Sequence, residues 1–108
     1  MKRTAITKEA KGWPIGPWNS SADYAVGWAR QPRDEIHKHE HVSETYIVVQ
    51  GYGTLVVGEE PLKVDTGEVI FIEPGEYHGW VATSPDFLMF MIHHPVDPLD
   101  KITQIADD

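Results

Sequence analysis

Apolar residues along this chain come in short runs cut apart by turn formers, which leaves little room for a long helix. Six runs have strand length and are rich in Val, Ile, Tyr and Phe: Ala22–Arg30, Glu44–Gln50, Thr54–Val57, Glu68–Glu73, His78–Thr83 and Phe87–His93. Turn signals separate them at Gly51-Tyr52-Gly53, Gly58-Glu59-Glu60-Pro61, Asp65-Thr66-Gly67, Pro74-Gly75 and Ser84-Pro85-Asp86. Short strands at near-regular spacing predict an all-β, antiparallel sandwich or barrel rather than a parallel sheet. No repeat of solenoid period is present. In Trp13-Pro14-Ile15-Gly16-Pro17-Trp18 the prolines lack ladder donors, so the segment cannot be a central strand. Residues 1–19 are therefore read as an extended arm whose tryptophans pack on the body or on a second subunit. Residues 20–95 form the barrel, and residues 96–108 an acidic tail, one helical turn or frayed, that carries no function.

Composition narrows the classes of function. The chain has 108 residues and 12.2 kDa, the size of one domain. Nine basic against 17 acidic residues give a net charge of −8, the wrong sign for a nucleic-acid partner. Cysteine is absent, which removes disulfides, thiolate catalysis, Fe–S clusters and cysteine zinc sites. The apolar runs fall far short of a bilayer span, so no membrane role is expected. Thr7-Lys8-Glu9-Ala10-Lys11 interrupts any signal-like apolar region after Met1-Lys2-Arg3. The chain is read as mature, soluble and, by default, cytoplasmic.

The candidate chemistry lies in the histidines, all six of which follow position 36. His37 and His39 are two apart, so on a strand both rings share a face. Glu44, five residues on, would point the other way on one continuous strand. The polar stretch Glu40–Ser43 must therefore turn the chain, so that Glu44 opens the next strand facing inward. Tyr46, Val48 and Gln50 then share its phase, while Thr45, Ile47 and Val49 face the other side. His78 follows the Pro-Gly turn, with Trp80 on its face. His41 falls in the turn and is read as a rim residue. His93 and His94 are adjacent and point oppositely, so at most one reaches the interior. Tyr24, Trp28 and one of Phe90 and Met91 are further inward candidates. A lone His-x-His in an acidic loop is ordinarily a solvated face; the phased Glu, the distant Pro-Gly-x-x-His and the β-rich frame lift this set above that. Gly51, Gly53, Gly67 and Gly75 are turn and bulge devices, since no Gly-rich loop here leads into a phosphate-cradling helix.

His37-x-His39-x4-Glu44-x6-Gly51 resembles the first motif of the cupin superfamily, and Gly67-x6-Pro74-Gly75-x2-His78 resembles its second. The resemblance spans about Ala22 to His93. It implies a double-stranded β-helix, or jelly-roll, barrel of short antiparallel strands in which His37, His39, Glu44 and His78 converge on one metal ion. Two departures stand out: Pro74 directly precedes Gly75, where the family usually has its proline two residues before the glycine, and Ala82 stands where an asparagine is often found. Three imidazoles and a carboxylate, without sulfur, suit a divalent transition ion: iron, manganese, nickel, zinc or copper. An octahedral ion would keep two adjacent positions for water or a bidentate substrate, whereas a closed tetrahedral zinc site would keep none.

Three functions fit such a site. The first is a metal-dependent enzyme acting on a small polar organic molecule such as a keto acid, sugar acid or enediol, as an isomerase, decarboxylase, lyase or dioxygenase. Its candidate catalytic groups are Tyr46, Tyr77 and His93, and its substrate pocket is expected to include Tyr46, Gln50 and Trp80. The second is a non-catalytic barrel that binds or senses a small ligand. The third is a structural metal barrel. An intact four-ligand set favours the enzyme. The Trp-rich arm and apolar outer sheet positions, which need cover, predict a homodimer.

Overall fold

A computed structural model describes residues 1–104 and contains ten strands: β1 (Lys11–Ile15), β2 (Ala25–Arg30), β3 (His37–Lys38), β4 (Ser43–Gln50), β5 (Tyr52–Val57), β6 (Glu60–Asp65), β7 (Val69–Ile72), β8 (His78–Thr83), β9 (Leu88–His94) and β10 (Ile102–Thr103). No helix among the described residues is long and apolar enough to cross a membrane. The strands form two five-stranded antiparallel sheets, ordered β1-β2-β9-β4-β7 and β10-β3-β8-β5-β6. Apart from the hairpins β1–β2 and β5–β6, successive strands pass from one sheet to the other, which is the double-stranded β-helix. Alternation along β4 sends Glu44, Tyr46 and Val48 inside and leaves Thr45 and Ile47 half-buried on the outer face. Opposed inner faces then close a core of Tyr46, Val48, Leu55, Val64, Ile72, Trp80, Phe87 and Met89. Trp80 is fully buried, with ring centroids 5.5 Å from Tyr46 and 5.0 Å from Phe87.

Of the expected strands, β8 matches residue for residue, and the other five differ from theirs at one or both ends. Four strands were not visible as runs. β1 and β6 each contain a proline, and both are sheet edges, where a missing N–H is tolerated. Pro14 lies where the β1–β2 register shifts, between Gly12 and Ile15. The arm is thus partly an edge strand, and Trp13 packs on its own chain, against His93. β3 and β10 are two residues each, too short for periodicity to register. β10 corrects the reading of the tail as a helical turn or a frayed end: Ile102 pairs with Lys38 and Thr103 with His37. The last four tail residues, 105–108, lie outside the described residues.

Candidate metal centre

Register brings the two histidine segments together. His37 on β3 is the direct antiparallel partner of His78 on β8, and their rings lie 4.5 Å apart. His39, just past β3, has its ring 5.2 Å from that of His37 and 5.6 Å from that of His78. Glu44 reaches the same point from the opposing sheet, after the chain turns at Glu40–Ser43. One ligand atom from each of His37, His39, Glu44 and His78 lies within 4.8 Å of every other. All four side chains are buried, His78 completely.

Backbone carbonyls fix which ring nitrogen each histidine offers. The Nδ1–H of His37 donates to Glu35 O at 2.7 Å, that of His78 to Glu76 O at 2.9 Å, and that of His39 to Asp100 O. A carbonyl only accepts, so Nδ1 must carry the proton, and in the neutral ring Nε2 keeps its lone pair. Glu44 Oε1 lies 2.6 Å from His39 Nε2 and 3.0 Å from His78 Nε2. Neutral imidazoles thus set acceptors against an acceptor, and His39 Nε2 is a buried polar atom with no well-aligned hydrogen bond. A cation among these atoms resolves the conflict, and three nitrogens with one carboxylate fit a divalent transition ion.

Burial by itself would raise the Glu44 carboxyl, but His39, His78 and His93 outweigh it together and hold the group well below the usual carboxylate range. The Glu44 carboxylate beside it raises His39. Burial lowers His37, which favours its neutral, metal-binding form.

Glu44 pairs with His93 across β4 and β9, and His93 Nε2 lies 3.0 Å from Oε2, the carboxylate oxygen turned away from His39 and His78. Its neighbour His94 turns outward to Asp23 at 3.2 Å, so one of the adjacent pair reaches the interior. His41 is exposed in the turn. Above the cluster opens a cavity of about 450 Å³. Its polar end holds Asp34, Tyr46, His93 and three of the four ligand candidates, His37, His39 and Glu44, and Trp13, Trp18, Met89 and Met91 form apolar walls. Tyr46 is buried, and burial followed by the Glu44 charge drives its phenol well above 10. The phenol therefore stays protonated at neutral pH.

Several expected pocket residues lie elsewhere. Gln50 is exposed because the β4–β9 register slips between Val48 and Gln50, which ends the inward alternation just before Gly51 turns at φ 76°. Trp80 belongs to the core beneath Tyr46 and does not line the cavity. Tyr77 is half-buried away from the cavity, with Lys38 Nζ 5.0 Å above its ring. Trp28 faces outward under the arm, its indole N–H donating to Glu9 O at 3.2 Å, because Ala25 and Ala29 take the inner face of β2. Tyr24 is exposed, and of the last pair Met91 faces in.

Sequence reasoning also missed two carboxylates. Asp34 sits in the cavity wall, where its Oδ2 accepts the Trp80 N–H at 3.2 Å and its own N–H donates to Trp80 O at 2.9 Å. Between Arg33 and Glu35 it reads as one more solvated charge. Asp100 lies in the tail, where no function is expected, yet it touches both His39 and the turn after it.

The sequence profile of the cupin domain family matches residues 24–94. No curated protein matches the sequence. Among solved structures, the chain is similar to the polyketide cyclase RemF from Streptomyces resistomycificus, with 22% identity, 100% of this chain and 88% of that one covered, and a TM-score of 0.75. It is similar to Pac13, a nucleoside dehydratase from Streptomyces, at 14% identity, with 92% and 82% covered and a TM-score of 0.69. KdgF from Halomonas sp. is 22% identical, with 82% and 79% covered and a TM-score of 0.69.

Proposed function

The chain belongs to the cupin domain family, and from that premise we propose that His37, His39, Glu44 and His78 hold one divalent transition ion and that the cavity above it is the active site for a small organic substrate. The observation that carries this reading is the convergence of imidazole Nε2 lone pairs on one buried carboxylate oxygen. The kinship with a polyketide cyclase and with a nucleoside dehydratase solved with uridine supports small-molecule chemistry in such a barrel. A divalent ion held there supplies Lewis acidity toward substrate oxygens. This suits keto acids and enediols, and the isomerase, decarboxylase, lyase and dioxygenase classes all use it.

The protein's own groups supply the rest. Trp13, Trp18, Met89 and Met91 favour a substrate with an apolar or aromatic body behind its oxygens, a poorer match to a bare sugar acid. The Tyr46 phenol donates a hydrogen bond or proton at the polar end, and the Asp34 carboxylate accepts one. His93 holds the second oxygen of Glu44, so its part is to orient a ligand. Phenylpyruvate, an aromatic 2-keto acid, tests this arrangement by calorimetry. It is expected to bind the metal-loaded protein and to bind chelator-treated protein at least about tenfold more weakly, the loss of roughly 1.4 kcal/mol. Equal binding without metal would contradict the enzyme reading and favour a non-catalytic ligand-binding barrel.

The proposal includes a homodimer. On the outer face of the first sheet, Val69 and Phe71 are 61% and 54% exposed and stand opposite Ile47 and Thr45. A second copy would cover them. Sedimentation as a monomer at micromolar concentration would remove this part of the reading.

A further inference from the structure

We propose that Asp100 is a positioning residue of the metal centre, setting the orientation of His39 and the course of the turn that delivers Glu44. The inference rests on the metal reading above. Its basis is that one residue holds both the His39 ring and the turn between His39 and Glu44. The Asp100 carboxylate accepts the backbone N–H of Glu40 and His41 at 2.7 Å each, and that of Val42 at 3.0 Å. Those amides form the turn that reverses the inward parity between His39 and Glu44. The backbone carbonyl of the same residue accepts the His39 Nδ1–H. The His39 ring therefore cannot rotate without losing the proton acceptor that commits Nε2 to the ion.

Asp100 is itself held in place. It is only 9% exposed, and the segment after it pairs with β3 through Ile102 and Thr103, while the Gln104 N–H donates to Ile36 O at 2.8 Å. The tail thus runs along the strand that carries His37 and ends the turn that follows His39. An aspartate is needed because three amides converge on its two oxygens, and a carboxylate has the acceptor capacity to take them all. Asparagine offers one carbonyl oxygen, and its NH₂ group would face amide donors.

The test uses Co²⁺ as the probe, with the affinity of full-length protein measured by chelator competition and the site read by the visible spectrum of the bound ion. Asp100→Asn is expected to weaken Co²⁺ binding about 10- to 100-fold, the range for losing a partner that orients a ligand, and to shift the ligand-field bands. Asp100→Ala should weaken it at least as much, and Asp100→Asn carries the test if the alanine variant does not fold. Asp97→Asn is the control: the Asp97 side chain lies in the same segment but accepts only the Leu99 N–H among the described contacts, and the carbonyl that takes the Asp100 N–H is kept by the substitution, so its affinity should match wild type. A purely structural tail would lower the melting temperature of the metal-free variant while leaving affinity and spectrum unchanged. That result in Asp100→Asn would overturn the proposal and leave the metal reading standing. Wild-type protein that takes up no Co²⁺ would overturn both.

Discussion

Replacing His78 with alanine is expected to abolish tight metal binding while leaving a folded barrel. His78 is completely buried, its Nδ1 is committed to Glu76 O, and its Nε2 faces Glu44. Losing only an orienting partner costs about 10- to 100-fold in affinity, and losing a ligand atom exceeds that. The metal-free variant should fold because the core rests on Tyr46, Val48, Leu55, Trp80 and Phe87 rather than on the ligand cluster. Glu44 also keeps His39 and His93 as partners, so no unpaired charge is left buried. Chelator competition measures the affinity and circular dichroism the fold. Wild-type affinity in His78→Ala would mean that any bound ion sits elsewhere.

The largest expected effect on stability is that of Trp80→Ala. Truncating a fully buried tryptophan costs about 3–5 kcal/mol, a large share of the roughly 5–15 kcal/mol that holds a domain together. The expected fall in melting temperature is about 12 °C or more, at roughly 4 °C or more per kcal/mol for a domain of this size. Trp80→Phe should be much milder, because the indole Nε1 is buried without a partner and phenylalanine removes that donor while keeping most of the ring. Thermal unfolding of the metal-free proteins separates the two. A change within about 0.5 kcal/mol for Trp80→Ala, the range of ordinary surface positions, would mean that Trp80 is a pocket wall able to give way.

What the sequence disclosed divides along local and non-local lines. The pairing of His37 with His39 follows from strand parity, and the turn before Glu44 follows from the parity conflict between His39 and Glu44. Both are short-range. The strand from His78 to Thr83 was legible because a Pro-Gly turn marks its start. Gln50 failed because an irregularity near the end of β4 stops the alternation after Val48, and a bulge has no sharp signature of its own. Trp80 shares the inward phase of His78, but phase alone does not separate a cavity from a core. That depends on what the opposite sheet supplies, here Tyr46 and Phe87. Asp100 was out of reach because its partners lie 58 to 61 residues away in the chain, and an aspartate in an acidic tail is locally indistinguishable from a solvated one. Asp34 failed for the same reason, since its place in the cavity wall depends on a backbone pairing with Trp80.

Everything proposed for the cavity depends on His37, His39, Glu44 and His78 holding an ion. Elemental analysis of protein purified without a histidine tag and without added metal tests it most directly. The predicted result is about one equivalent per chain of iron, manganese, nickel, copper or zinc, by the preference of an imidazole and carboxylate donor set. A protein that carries no metal, and takes up none after chelation and reconstitution, would contradict it.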